Sequence, residues 1–332
     1  MTRIFSGVKP TGHLTLGNYL GAVRRWAEVD QYRAEALFSV VDLHALTVEH
    51  DPGRVRRLSR QAATLLLATG LDPEVCTLFV QSHVDEHARL SYLLECTATD
   101  GELRRMIQYR EKSVSARAAG EGVRLSLLTY PVLMAADILA YGTDEVPVGE
   151  DQTQHVELTR DLAVRFNQRY GHTFTVPRAT RPEVGARVMD LQDPTSKMGK
   201  SHANGAGIVY LLDDAETVRR KVMRAVTDSG QDVEYDRDVK PGIANLLDLM
   251  AAATGGNPEE LAGVYQSYGA LKKDTADAVV ELLRPLRERH AELAADPGHV
   301  DQVLRDGAER ARGMARPLVD RAYRAIGLLP AG

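Results

Sequence analysis

Two lysines three places apart with a hydroxyl beside them, in Lys197-Met198-Gly199-Lys200-Ser201, make this the segment best suited to a polyphosphate. Each ammonium would offset charge growing on a phosphate leaving group, worth on the order of 3 kcal/mol apiece in a dry site. Gly199-Lys200-Ser201 does not close a Walker loop, because the glycine required five places before Gly199 is Pro194. A second segment, Pro10-Thr11-Gly12-His13-Leu14-Thr15-Leu16-Gly17-Asn18, joins a strand-like stretch to a helix-like one. At such a junction the free N–H groups of a helix start can meet an anion, and Gly12 and Gly17 would let a nucleotide approach the backbone. Thr15 and Asn18 stand one helical turn apart and could address one ligand. A glycine-rich turn that only caps a helix would use the same residues.

Within the apolar run 130–141, Asp137 is the only charge. A carboxylate buried without a partner costs several kcal/mol, so Asp137 requires a donor, either an arginine of the chain or an N–H of a ligand. Gly149-Glu150-Asp151-Gln152 precedes a helical stretch and could be an acidic helix start or a ligand contact. His83 and His87 are four apart, but the polar stretch around them reads as a solvated surface, and no metal site is expected. Cys76 and Cys96 are the only cysteines and form no CxxC pair, which excludes a cysteine-rich zinc site.

The elements that position these residues alternate at first. Apolar runs at 3–6, 36–41 and 77–81 read as strands, and 16–29, 54–69, 103–111, 127–141 and 154–170 carry helical spacing. Strands separated by helices in this way predict an α/β fold with a doubly wound, Rossmann-like parallel sheet. Beyond about residue 208 the strand signal ends, and 213–226, 243–254, 258–295 and 300–326 read as helices. The 332 residues suffice for one large domain and a smaller helical one. Hydrophobic residues make up 44% and charged residues 26%, and no apolar run is long enough for a membrane span. The start lacks the apolar core of a signal peptide, so a cytoplasmic location is expected.

A net charge of −5 argues against wrapping by nucleic acid along the whole surface. Local basic clusters remain: Arg54, Arg56, Arg57 and Arg60; Arg104 and Arg105; Arg219, Arg220, Lys221 and Arg224. Each could be a charged helix face or a phosphate contact.

Taken together, the motifs resemble the class I aminoacyl-tRNA synthetases, and within them the tryptophan enzymes. Thr15 to Asn18 match the HIGH signature in its TxGN form, with His13 two places too early to belong to it. Residues 197–201 match the KMSKS loop, with Gly199 where the family usually has Ser. The two signatures stand about 180 residues apart in the family's order. The run from Tyr130 to Tyr141 resembles the tryptophan-pocket helix, in which the aspartate matching Asp137 accepts the indole N–H.

The resemblance implies an ATP-dependent tryptophan–tRNA ligase, with Mg2+ bound to the ATP phosphates and tRNA(Trp) as acceptor. It implies catalytic roles for Thr15, Asn18, Lys112, Lys197, Lys200 and Ser201. ATP would be bound by Lys9, Pro10, Thr11, Gly12, Gly17, Asn18, Gly149, Glu150, Asp151, Val188, Lys197, Met198, Gly199, Lys200 and Ser201. Tryptophan would be bound by Phe5, Gly7, His44, Tyr130, Met134, Asp137 and Gln152. The expected organisation is a catalytic domain over 1–207 with a connecting or dimerisation insertion at about 103–186. A helical anticodon-binding domain over 208–300 and a C-terminal helix over 301–332 that packs back on the catalytic domain would follow. A homodimer without membrane attachment is expected. A tyrosine enzyme would share the fold and both signatures, but the Met134-Ala135-Ala136-Asp137 helix and the short C-terminal part favour tryptophan. A small-molecule nucleotidyltransferase would not need the helical part, and a non-catalytic RNA-binding relative would be expected to lose Lys197, Lys200 or Asp137. Lys9 stands where bacterial tryptophan enzymes often carry Gln, and 114–123 reads as a short insertion. Lys9 prompts the expectation of an inhibitor-resistant or auxiliary isoform.

Overall fold

The computed structural model describes residues 2–180, 188–199 and 205–329. Five parallel strands, β1 (Arg3–Val8), β2 (Glu35–Val40), β3 (Thr77–Val80), β4 (Glu145–Pro147) and β5 (Arg178–Thr180), form one sheet in the order β3-β2-β1-β4-β5. Alternate side chains along the strands serve two separate cores, as the period of two requires. Val8, Phe38, Leu78 and Val80 face one core, and Phe5, Leu37 and Phe79 face the other. Burial on both faces explains why the strands read as continuous apolar runs and not as alternating ones.

Between β1 and β2 the sequence predicts one helix, but the chain winds differently. A short α1 (Leu16–Asn18) gives way to wider turns at Tyr19–Val23 and Trp26–Asp30, then to α2 (Gln31–Arg33). In the wide turns Arg24 N–H reaches the Tyr19 carbonyl and Gln31 N–H the Trp26 carbonyl, five residues back. Trp26 lies flat on Phe38, with ring centroids 5.1 Å apart. After β2 come a 3-10 turn (Leu43–Thr47) and α3 (Pro52–Ala68), and after β3 come α4 (Glu86–Glu95), α5 (Asp100–Arg105), α6 (Ile107–Ala118) and α7 (Leu125–Leu139). The predicted helix over 103–111 is in fact two, broken at Met106, whose ψ of 126° is extended. Helix α8 (Thr153–Tyr170) joins β4 to β5.

Beyond β5 the described elements are all helices: α9 (Ala215–Met223), α10 (Pro241–Thr254), α11 (Pro258–Ala262), α12 (Tyr268–Ala295) and α13 (Pro297–Ala325). The stretch predicted as one helix over 258–295 splits because Ser267 caps a new start through the Ala270 N–H. Helix α13 spans both cores, with Val300, Val303 and Leu304 in the first and Ala308 to Ala322 in the second. No helix among the described residues is long and apolar enough to cross a membrane.

Candidate functional site

In an open parallel sheet, the crevice forms beyond the C-terminal strand ends where the strand order reverses. Here that point lies between β1 and β4, and a cavity of ≈ 710 Å³ opens there. Phe5, Gly7 and Lys9 enter it from β1 and the turn beyond, Gly17 and Asn18 from α1, and His44 and Thr47 from the 3-10 turn. Helix α6 adds Gln108 and Lys112, and α7 adds Tyr130, Met134 and Asp137. Gly149, Asp151, Gln152, Val188 and Lys197 also line it.

The apolar end is built on Asp137, which is 1% exposed. Its Oδ1 accepts from Gln81 Nε2 at 2.7 Å and from His87 Nδ1 at 2.6 Å, and its Oδ2 meets His44 Nε2 at 2.8 Å. Burial alone would raise this carboxyl's pKa. The hydrogen bonds from His44 and His87 outweigh it and hold the group well below the usual carboxylate range. No arginine is among the described partners of Asp137.

Tyr130, Gln108, Lys112 and His155 form the next layer. The Tyr130 hydroxyl lies 2.9 Å from His155 Nε2 and 3.2 Å from Gln108 Oε1. Lys112 Nζ donates to Gln108 Oε1 at 3.0 Å and stands 5.3 Å from the centre of the Tyr130 ring. Burial depresses the Lys112 ammonium, against Glu111 and Asp151. Burial, with Lys112 and His44 adding and Asp151 opposing, holds the His155 imidazole neutral with a pKa of about 4. Neutral His155 therefore meets the Tyr130 hydroxyl without bringing a competing charge.

The polar end is held from the helical part of the chain. Met189 pairs with Lys197, and Met198 N–H donates to the Val188 carbonyl at 3.0 Å, which closes a small loop. Buried Asn245 of α10 clasps Met189 by its N–H and carbonyl at 2.9 and 3.1 Å. Gly17 admits this loop: a Cβ there would stand 3.1 Å from the Met198 carbonyl oxygen. Lys197 Nζ lies 3.9 Å from where a Gly149 Cβ would be, so the ammonium faces the strand-end turn across a short gap.

Pro10, Thr11, Gly12, Thr15, Met198 and Gly199 do not line the cavity itself. Thr15 and Asn18 engage each other: Thr15 N–H donates to Asn18 Oδ1, and Asn18 N–H to Thr15 Oγ1, both at 3.1 Å. Lys200, Ser201 and the side chain of Glu150 lie outside the described residues. The solvated surface expected around His83 and His87 holds for exposed His83 but is corrected for His87, which is 0% exposed and bonded to Asp137. His87 is drawn inside because its partners, Asp137 and Tyr141, lie on and just beyond α7.

Gln81, Gln108 and His155 were not anticipated. Gln81 ends the run 77–81, and side chains at the C-terminal ends of parallel strands are where ligand contacts concentrate, so a signal for it existed. Of the basic clusters, Arg60, Arg104, Arg219 and Lys221 pair with Asp301, Asp100, Asp277 and Asp213, while Arg54, Arg56 and Arg57 are exposed.

Known proteins resemble the chain in sequence and fold. The family of class I tRNA synthetases (W and Y) matches residues 1–284. Tryptophan–tRNA ligase 1 of Streptomyces avermitilis is 79% identical over 331 residues, covering 100% of both chains. The crystal structure of tryptophanyl-tRNA synthetase from Mycoplasma pneumoniae superposes with a TM-score of 0.91 at 35% identity, over 99% of this chain and 98% of that one. The Campylobacter jejuni tryptophanyl-tRNA synthetase, complexed with ADP and tryptophan, gives a TM-score of 0.84 at 31% identity, over 98% of this chain and 100% of its own.

Proposed function

The chain belongs to the class I tRNA synthetases (W and Y), and from that premise we propose that it activates L-tryptophan with ATP and charges tRNA(Trp). One observation carries the choice of amino acid: a buried, ionised Asp137 on the wall of an otherwise largely apolar pocket end. An acceptor-only group there favours a ring that brings an N–H, and a phenylalanine ring would leave it bare.

The reacting groups need little from the protein beyond placement. The tryptophan carboxylate is itself the nucleophile and attacks the ATP α-phosphorus in line, so no covalent enzyme intermediate and no general base is required. Tyr130 and Gln152 would orient the substrate ammonium. Lys197 and Lys112 would stabilise the departing pyrophosphate, with Lys200 and Ser201 in the same role. ATP is taken as its magnesium complex, and Asp151, an oxygen donor on the cavity wall, suits that hard cation. The terminal ribose of tRNA(Trp) then attacks the mixed anhydride and releases AMP.

We further infer a cytoplasmic homodimer in which tRNA spans both subunits and the helices α9 to α12 read the anticodon. Lys9 on the cavity wall supports reading this chain as an inhibitor-resistant or auxiliary isoform. Exchange of labelled pyrophosphate into ATP tests the substrate. Exchange is expected with tryptophan and not with tyrosine, and the reverse pattern overturns the assignment.

A further inference from the structure

A carboxylate offers about four acceptor directions on its two oxygens. On Asp137 the described residues fill three of them, two on Oδ1 from Gln81 and His87 and one on Oδ2 from His44. The two oxygens differ in their surroundings. His44 lines the cavity, whereas Gln81 and His87 do not and are both 0% exposed, so Oδ1 is held from behind.

His87 is in turn held from its far side. Its Nε2 lies 2.7 Å from the Tyr141 hydroxyl, and the Tyr141 ring stacks on Phe5 at 13°. Burial, with Asp137 and Glu86 adding, keeps the Tyr141 phenol protonated. An O–H pointed at Nε2 fixes the tautomer that carries its hydrogen on Nδ1, which faces Asp137. The result is a directed chain from the Tyr141 hydroxyl through His87 to Oδ1.

We propose that His87 is a specificity-determining positioning residue. With Gln81 it saturates Oδ1, so Asp137 presents the cavity with Oδ2 alone and with one acceptor direction for a single ring N–H. Rejection of a ring without that N–H depends on the acceptor being unable to turn to another donor. A carboxylate released from His87 could rotate and recruit water, and its penalty for the wrong ring would fall. The inference rests on the reading of tryptophan as substrate with Asp137 as its N–H acceptor.

The test compares kcat/KM in pyrophosphate exchange for L-tryptophan and for 3-(benzothiophen-3-yl)-L-alanine, which keeps the ring shape and replaces N–H by sulfur. The wild type is expected to prefer tryptophan. His87→Leu is expected to lower that preference by roughly tenfold, the scale of one charge-assisted hydrogen bond. His87→Asn, which can keep an N–H towards Oδ1, should retain most of it. If His87→Leu does not fold, as read by circular dichroism melting, Tyr141→Phe carries the test with a severalfold loss. An equal fall in kcat/KM for both amino acids, with the preference unchanged, overturns the proposal, since a merely structural role predicts that result. A wild type that uses the sulfur analogue as well as tryptophan overturns instead the role of Asp137 as N–H acceptor.

Discussion

Lys9 donates to the Thr47 hydroxyl at 3.1 Å, and Thr47 donates to the His44 carbonyl at 2.9 Å. The cation thus braces the turn that carries one partner of Asp137. An uncharged Gln could replace the hydrogen bond but not the charge, so a ligand that mimics tryptophan with a different polar head meets a different field. Lys9→Gln is expected to tighten such an inhibitor by about tenfold while the KM for tryptophan moves much less. Inhibition constants for the two proteins that agree within about twofold discard the isoform reading. Residues of this kind were legible in sequence where chemistry singled them out locally. Asp137 stood out as the one charge in an apolar run, and the lysine at 197 by its phosphate-like context. His87 was not legible, because its burial is decided by Asp137 and Tyr141, both about 50 residues away in sequence. Spacing alone did not reveal that Thr15 and Asn18 bond to each other, or that of the two only Asn18 lines the cavity.

At the scale of elements, apolar runs and breakers marked the three long strands and most helices, while features made by single caps were hidden. The break between α5 and α6 has no glycine or proline at Met106. Helix α5 instead depends on its start, where Thr99 N–H and hydroxyl both donate to Glu102 Oε2, at 2.9 and 2.8 Å. Arg165 of α8 bonds both oxygens of Glu102, and through Nη1 also the Thr97 carbonyl at 2.8 Å. The Arg165 guanidinium, with Thr99 assisting, draws the Glu102 carboxyl from 4.5 to about 2 against burial. A carboxyl with a depressed folded pKa adds stability that is complete above its unfolded value and is lost as pH falls towards its folded one. Glu102→Gln should therefore lower stability by roughly 1 kcal/mol at neutral pH, a figure discounted for the partial exposure of Arg165. The gap between wild type and variant should close as pH falls from about 4.5 to about 2. Denaturant melts across that range that show a constant gap would remove the ion pair from the account of α5.

The whole molecule is tied together by α13, whose amphipathic sequence announced a helix but not the strand it lies along. It lies along β3, the strand at one end of the sheet order, where an open backbone edge needs a cover. Arg310 and Arg312 donate to the carbonyls of Pro73 and His83 on either side of that strand, at 2.9 and 2.8 Å. Gly307 permits the approach: a Cβ there would stand 1.8 Å from the Leu78 carbonyl oxygen, and backbone cannot yield by changing a rotamer. Gly313, on the same helix, would direct a Cβ into open space. Two effects oppose each other when either glycine becomes alanine. Helix propensity favours alanine by about 1 kcal/mol at both positions, and forced overpacking costs about 1–3 kcal/mol, or more, at a rigid contact. At Gly307 the collision wins, since α13 must lift from β3 along both cores. Gly307→Ala is expected to destabilise the protein by roughly 2 kcal/mol and Gly313→Ala to stabilise it by up to about 1 kcal/mol. Thermal melts of the two variants beside the wild type decide it: shifts of the same sign would mean that the last helix does not seat on the sheet through Gly307.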